Sequence, residues 1–228
     1  MRAMFGILLA AALLPGGVVR TASAQDAAVY VATYVEVAPG AAGQAIALIK
    51  DLGTAVRAED GNLRFQAVQE RARPNRFVAI EAWKDQKAFE AHGKGAPVTA
   101  FRQKLAAIQN APYDERVNGP FLVAAALPPP ARGNVWVVTH VDVPPTFKDG
   151  VMALLKALAE DTRKDPGNLM YEAVQQTSRP NHFTVVEVWK NAKAFDAHGT
   201  AVSTRQFREK FGPMVGALYD ERLYKAVQ

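Results

Sequence analysis

The chain has 228 residues, 49% of them hydrophobic, a formal net charge of +5 and no cysteine. The lack of cysteine excludes disulfides, thiolate metal sites and a lipid-modified cysteine. The 27 basic and 22 acidic residues are interleaved rather than clustered, which argues against a nucleic-acid-binding surface.

The N-terminus reads as a secretory signal. Arg2 gives a positive start, residues 3–14 are almost wholly apolar, Pro15-Gly16-Gly17 breaks any helix, and Ala22-Ser23-Ala24 is a small-residue cleavage pattern. Cleavage is expected after Ala24. The apolar run of about 12 residues is shorter than the ~20 that a membrane-spanning helix needs, so no membrane insertion is expected after cleavage. Loss of Arg2 and Arg20 leaves a net charge of +3. The expected location is a bacterial periplasm or the medium.

Residues 29–37 alternate as a half-buried strand, ended by Pro39-Gly40. Residues 41–59 place Ile46, Ile49, Leu52 and Val56 at helical spacing, and Gly61 follows the helix. Residues 63–70 form a second strand, 71–75 a turn and 76–84 a third strand. On that third strand Val78, Ile80 and Ala82 make an apolar face suited to helices. Phe77, Ala79, Glu81 and Trp83 make a mixed face, expected to share a partly polar cavity with Tyr30, Tyr34 and Glu36 of the first strand. Residues 86–92 predict a short helix closed by Gly93, 98–109 a longer helical piece and 112–121 a last strand. Residues 122–133 contain Pro128-Pro129-Pro130, a stiff spacer.

The same plan then returns from 135 to 227, its first helix marked by Val151, Leu154, Leu155 and Leu158. Glu81, Trp83 and His92 recur as Glu187, Trp189 and His198, each 106 residues on. Gly61-Asn62-Leu63 and Tyr113 to Arg116 recur at the same spacing. A long self-match at constant spacing means two copies of one structural unit. The expected organisation is a signal at 1–24, a first domain at 25–121, a linker at 122–133 and a second domain at 134–228. Strand-helix-strand twice over is the split βαβ, or ferredoxin-like, α+β plan. Its bare sheet face must be covered, and the other copy is the natural cover. The expectation is a barrel-like intramolecular pseudo-dimer packed sheet to sheet, with helices outside and pockets between the sheets. Further association of chains stays open.

No phosphate-binding Gly-rich loop, nucleophile elbow or His-Glu-x-x-His site occurs. His140 and Asp142 share a strand face and His182 begins a neighbouring strand, but the face assignment sends His182 toward the helices. No metal is expected, since the pattern matches no recognised ligand spacing. His92 and His198 each end a short helix before glycine. The helix dipole favours histidine there, and a general base at a pocket edge would have the same placement. Trp83 and Trp189 are either core aromatics or the walls of a flat ligand's site. Glu81 and Glu187 either pair with Arg116 or Arg222, or line the pocket with a raised pKa. Pro74-Asn75 and Pro180-Asn181 read as turns. The copies differ where Tyr34, Arg64, Phe65 and Arg76 become His140, Met170, Tyr171 and His182. The side holding Tyr171, His140 and His198 is the more polar.

Gly-Asn-Leu, an aromatic at Phe65 or Tyr171, Pro-Asn-x-Phe, Glu-x-Trp and Ala-Phe-x-Ala-His resemble the antibiotic biosynthesis monooxygenase domain family over nearly the whole of each repeat. The resemblance implies a ferredoxin-like fold, usually seen as a dimeric α/β barrel, here in one chain. It also implies a candidate activity, oxidation of a quinol or similar electron-rich aromatic by dioxygen with no metal or flavin cofactor. His92 and His198 would then be the bases. Trp83, Trp189, Tyr171 and Tyr34 would hold the ring, with Glu81, Glu187 and His140 lining the pocket and Asn62 and Asn168 as donors. The haem-degrading branch of the family is a poor match, because it carries tryptophan where His92 and His198 stand, and its haem ligand would align near Arg102 and Arg208. The alternatives are a non-catalytic periplasmic binding protein for a small aromatic compound and a small-molecule isomerase.

Overall fold

A computed structural model describes residues 27–217 and 219–228, so the expected signal at 1–24 lies outside the described residues. The first repeat runs β1 (Val29–Glu36), α1 (Ala42–Val56), β2 (Asn62–Glu70), β3 (Arg76–Trp83), α2 (Gln86–Gly93), α3 (Ala96–Ala106) and β4 (Asp114–Leu122). The second runs β5 (Val135–Asp142), α4 (Lys148–Thr162), β6 (Asn168–Gln176), β7 (His182–Trp189), α5 (Ala192–Gly199), α6 (Val202–Phe211) and β8 (Asp220–Ala226). Among the described residues no helix is long and apolar enough to cross a membrane.

The repeated short motifs each hold a joint of the fold. Gly61 and Gly167 enter β2 and β6 at φ +85° and +88°, where a side chain is strained. A Cβ on either would also lie 2.7 Å from the Cβ of Ala88 or Ala194, so glycine is required there twice over. Asp85 and Asn191 cap α2 and α5, accepting from the Ala88 and Ala194 amides at 2.8 and 3.0 Å. The Pro-Asn turns are locked by Asn75 and Asn181, whose amides donate to the Val37 and Val143 carbonyls at 2.8 and 2.5 Å.

All eight strands join one closed barrel in the order β1-β3-β2-β8-β5-β7-β6-β4. The last strand of each repeat makes the closure. β4 pairs with β1 of its own repeat and, on its other edge, with β6, where Asn118 faces Gln176. β8 does the same for β5 and β2, with Tyr224 opposite Glu70. The two expected sheets are therefore one hydrogen-bonded sheet, and these seams leave no edge exposed.

Closure reverses the expected faces of β3. Val78, Ile80 and Ala82 point into the barrel, where Val78 and Ile80 pack with Ala32, Val68, Trp136, Val138, Val186 and Val188. Phe77 and Trp83 lie on the outer face with Val31 and Phe65, against Ile49 and Leu52 of α1 and Phe101 of α3. The physical reason is that a small closed barrel has room inside only for side chains, and Val78, Ile80 and Ala82 form part of that filling. Tyr30 and Tyr34 do look into the barrel, but away from Glu81 and Trp83. His182 likewise does not face the helices. It pairs with Asp142 across β5–β7 and so shares the barrel side with His140, its Nδ1 2.8 Å from Asp142 Oδ1.

One buried ion pair crosses the repeats inside the barrel, between Arg64 of β2 and Glu172 of β6. Glu172 also accepts the Ala124 amide of the linker at 3.0 Å. The counterparts of these two residues are Met170 and Gln66, so the pair exists on one side of the pseudo-twofold axis only.

Candidate functional site

Glu81 and Trp83 are two residues apart on β3 and so share its outer face. His92, in the last turn of α2, lies over them. Its ring centroid is 4.4 Å from that of Trp83 at an interplanar angle of 32°. Its Nδ1 is 2.9 Å from Glu59 Oε2, and its Nε2 is 3.5 Å from Glu81 Oε2. The Trp83 indole donates to the same Glu81 oxygen at 3.1 Å. The second repeat builds the same group. His198 lies 4.7 Å from Trp189, its Nδ1 2.8 Å from Asp165 Oδ2 and its Nε2 3.9 Å from Glu187 Oε2, while Trp189 donates to Glu187 at 2.8 Å.

Each site is thus a histidine between two carboxylates, with a tryptophan beneath. The outer carboxylate can only accept, so Nδ1 donates to it, and Nε2 faces the inner carboxylate. Both tryptophans are 0% exposed, both inner glutamates 4% and both histidines 6%. Burial pushes Glu81 and Glu187 up to about 7 against an opposing indole hydrogen bond, with Glu115 and Glu221 adding to the rise. A carboxyl that holds its proton near neutrality, beside an imidazole, can pass a proton in either direction. Glu81 and Glu187 accordingly take the raised-pKa course, and Arg116 and Arg222 pair with Asp114 and Asp220 instead.

A cleft of about 540 Å³, lined by Glu59, Lys84, Lys87, Ala88, His92 and Pro97 among others, opens beside the first histidine. The second site differs in its hydroxyls. Thr204 Oγ1 lies 3.3 Å from both ring nitrogens of His198, where the first repeat has Val98. Tyr171 stands directly opposite Glu187, as Phe65 stands opposite Glu81. The Tyr171 hydroxyl is buried with no hydrogen-bond partner among the described residues, and burial, then Glu187, push its pKa well up.

The remaining sequence candidates lie elsewhere. Asn62 and Asn168 pair with Trp83 and Trp189 at strand irregularities, and their side-chain amides donate at 3.3 Å to the carbonyls of Arg64 and Met170. Tyr34 and His140, equivalent positions of the two repeats, meet inside the barrel at 5.1 Å. Arg116 reaches both His140 ring nitrogens at 3.1 Å and lies 4.8 Å over the Tyr34 ring. Burial, then Arg116, push His140 down to about 4. Among the described residues no three His, Asp or Glu side chains are grouped to hold a metal ion. Glu59, Asp165 and Thr204 were not singled out from the sequence. The signal for the first two is an acid at the same repeat position, two residues before Gly61 and Gly167.

The sequence profile of the antibiotic biosynthesis monooxygenase family matches residues 28–104 and 134–210, most of both repeats. The chain belongs to that family. YcnE of Bacillus subtilis, a candidate monooxygenase by its name, is 30% identical over 81 residues, which cover 36% of this chain and 85% of YcnE. Two solved structures, each described as a candidate monooxygenase, share the tandem fold of this family member. The one from Fusobacterium nucleatum superposes with a TM-score of 0.80 at 16% identity, over 89% of this chain and 93% of its own. The one from Lactobacillus acidophilus gives 0.72 at 16% identity, over 89% and 95%. In this family member, coverage of nearly the whole of both neighbours means that the barrel of two covalently joined repeats is a shared architecture.

Proposed function

We propose that this chain is an exported monooxygenase of the quinol-oxidising kind, acting with dioxygen and without metal or flavin. Family membership supports the reaction class. The observation that carries the proton-transfer chemistry is the buried carboxylate–histidine pair over a tryptophan in each repeat. A quinol is a weak acid until it loses a phenolic proton, and the phenolate is electron-rich enough to reduce oxygen. The histidine Nε2 takes that proton and the buried glutamate shares it, while Glu59 or Asp165 holds the ring and stabilises its charged form. One oxygen atom enters the aromatic ring as a new carbonyl or hydroxyl group. The other leaves as water with two hydrogens from the substrate, which supplies all four electrons. Fixed donors, with the Trp83 and Trp189 indoles on the glutamates and the Tyr171 hydroxyl in the second site, keep the site polar while water is excluded.

The test is isotopic. Quinol turned over by metal-stripped protein under ¹⁸O-labelled dioxygen should gain one labelled oxygen per product molecule, with the other label in water. Product without the label removes the monooxygenase, and substrate bound but unchanged leaves a binding protein. Export is tested separately by N-terminal sequencing of protein made in a bacterial host, with Gln25 expected as the first residue.

A further inference from the structure

A further hollow lies outside both histidine sites and meets the cleft beside His92 only at Lys84. It has a volume of about 970 Å³ and runs beneath the linker, between Ala124–Pro130 and the ends of β1, β2 and β3. Its floor is Tyr30 and Ala82, and Pro128-Pro129-Pro130 forms a stiff wall. Arg57, Arg64 and Lys84 line it, and among the described residues no acidic side chain does. Two of these cations are neutralised elsewhere, Arg64 by Glu172 and Lys84 by Asp60. Arg57 lies 5.4 Å over the Phe65 ring and has no acidic partner among the described residues. Arg64 Nε is buried with no hydrogen-bond partner, although the rest of its guanidinium is engaged.

The second repeat shows what a filled version looks like. Tyr30, Arg64 and Ala82 correspond to Trp136, Met170 and Val188, which are buried and packed together in the barrel. Arg57 corresponds to Arg163, whose guanidinium donates to the carbonyls of Leu122 and Tyr171. One end of the barrel is therefore plugged by side chains and main chain. At the other end Tyr30 and Ala82 are buried too, packed with Ala28, Val123 and Val174, and the hollow runs over them beneath the prolines, edged by Arg57.

We propose that this hollow binds a small organic anion with an apolar body, such as an arene carboxylate or sulfonate. The apolar part lies along Tyr30, Ala82 and the triproline wall, and the anionic group meets Arg57. Pockets of this size and lining suit such ligands, and an anion on a guanidinium makes a charge-assisted hydrogen bond. Neither histidine nor any carboxylate of the histidine sites lines it, so the binding does not rest on the monooxygenase reading.

The probe is 1-anilinonaphthalene-8-sulfonate, titrated by fluorescence against the full folded chain. Saturable binding of one probe per chain is expected. Arg57→Ala should weaken it about tenfold or more, as for loss of a charged hydrogen-bond partner. Ala82→Val, which installs the residue of the filled repeat, should weaken it as well, and Lys190→Ala on the opposite repeat should leave it unchanged. 2-Naphthoate should displace the probe, and the neutral 2-naphthalenemethanol should do so at least about tenfold less well. No saturable binding, equal binding by Arg57→Ala and wild type, or equal competition by the neutral alcohol overturns the proposal.

Discussion

Replacing Glu81 and Glu187 by glutamine should make the protein more stable at alkaline pH. Each carboxyl ionises near 4.5 in the unfolded chain and near 7 in the folded one. Between those values the native state holds a proton that the unfolded state has lost, so stability falls as pH rises through this window. Above 7 the penalty is complete. A shift of that size corresponds to about 3 kcal/mol per site. Glutamine stays neutral and keeps an oxygen to accept the indole proton of Trp83 or Trp189, so it escapes the decline. Urea unfolding of wild type and the double variant at several pH values measures the difference, which cancels the other titrations. The difference should grow in favour of the variant by about 3 kcal/mol per substituted site between pH 4.5 and 8. A flat difference, or one that shrinks, would mean that the glutamates are held as anions by charged histidines, and the reasoning fails.

His140 should act with the opposite slope. Its folded pKa, near 4, lies below the unfolded 6.5, so its contribution is complete above pH 6.5 and is lost as pH falls toward 4. His140→Gln should gain on wild type by up to about 3 kcal/mol over that fall, read by acid unfolding. Arg64→Met leaves Glu172 buried without its partner and should cost about 3–5 kcal/mol in chemical denaturation. Adding Glu172→Gln, which completes the residues of the opposite side, should recover most of that loss. Gly61→Ala places a Cβ at positive φ and 2.7 Å from Ala88, so it should cost more than about 1 kcal/mol in thermal or chemical unfolding.

The repeat and its elements were legible because strand and helix periods are local, and the copies confirm one another residue by residue. The trio of Glu81, Trp83 and His92 was legible for the same reason. Two residues on a strand share a face, and a histidine closing the next helix can reach it. Which face that is was not legible. β3 is buried on both sides, so alternation marks two faces without saying which one meets the helices. Val78, Ile80 and Ala82 suit either. The closure of the barrel depends on β4 and β8 pairing across repeats, and no pattern within one strand encodes it. Tyr34, His140 and Arg116 meet only because closure brings equivalent strands around one axis. Glu59 and Asp165 read as solvated loop charges until α2 or α5 lays a histidine against them.

The central claim is that the paired histidines take the substrate's proton in an oxygen-consuming reaction. Its most direct measurement is oxygen uptake with a panel of quinols by metal-stripped wild type and by His92→Ala/His198→Ala. The wild type should consume oxygen and quinol in equal amounts, and the double variant should lose on the order of 10²- to 10⁴-fold in rate. No quinol consumed faster than in buffer alone, or full turnover by the double variant, would contradict it.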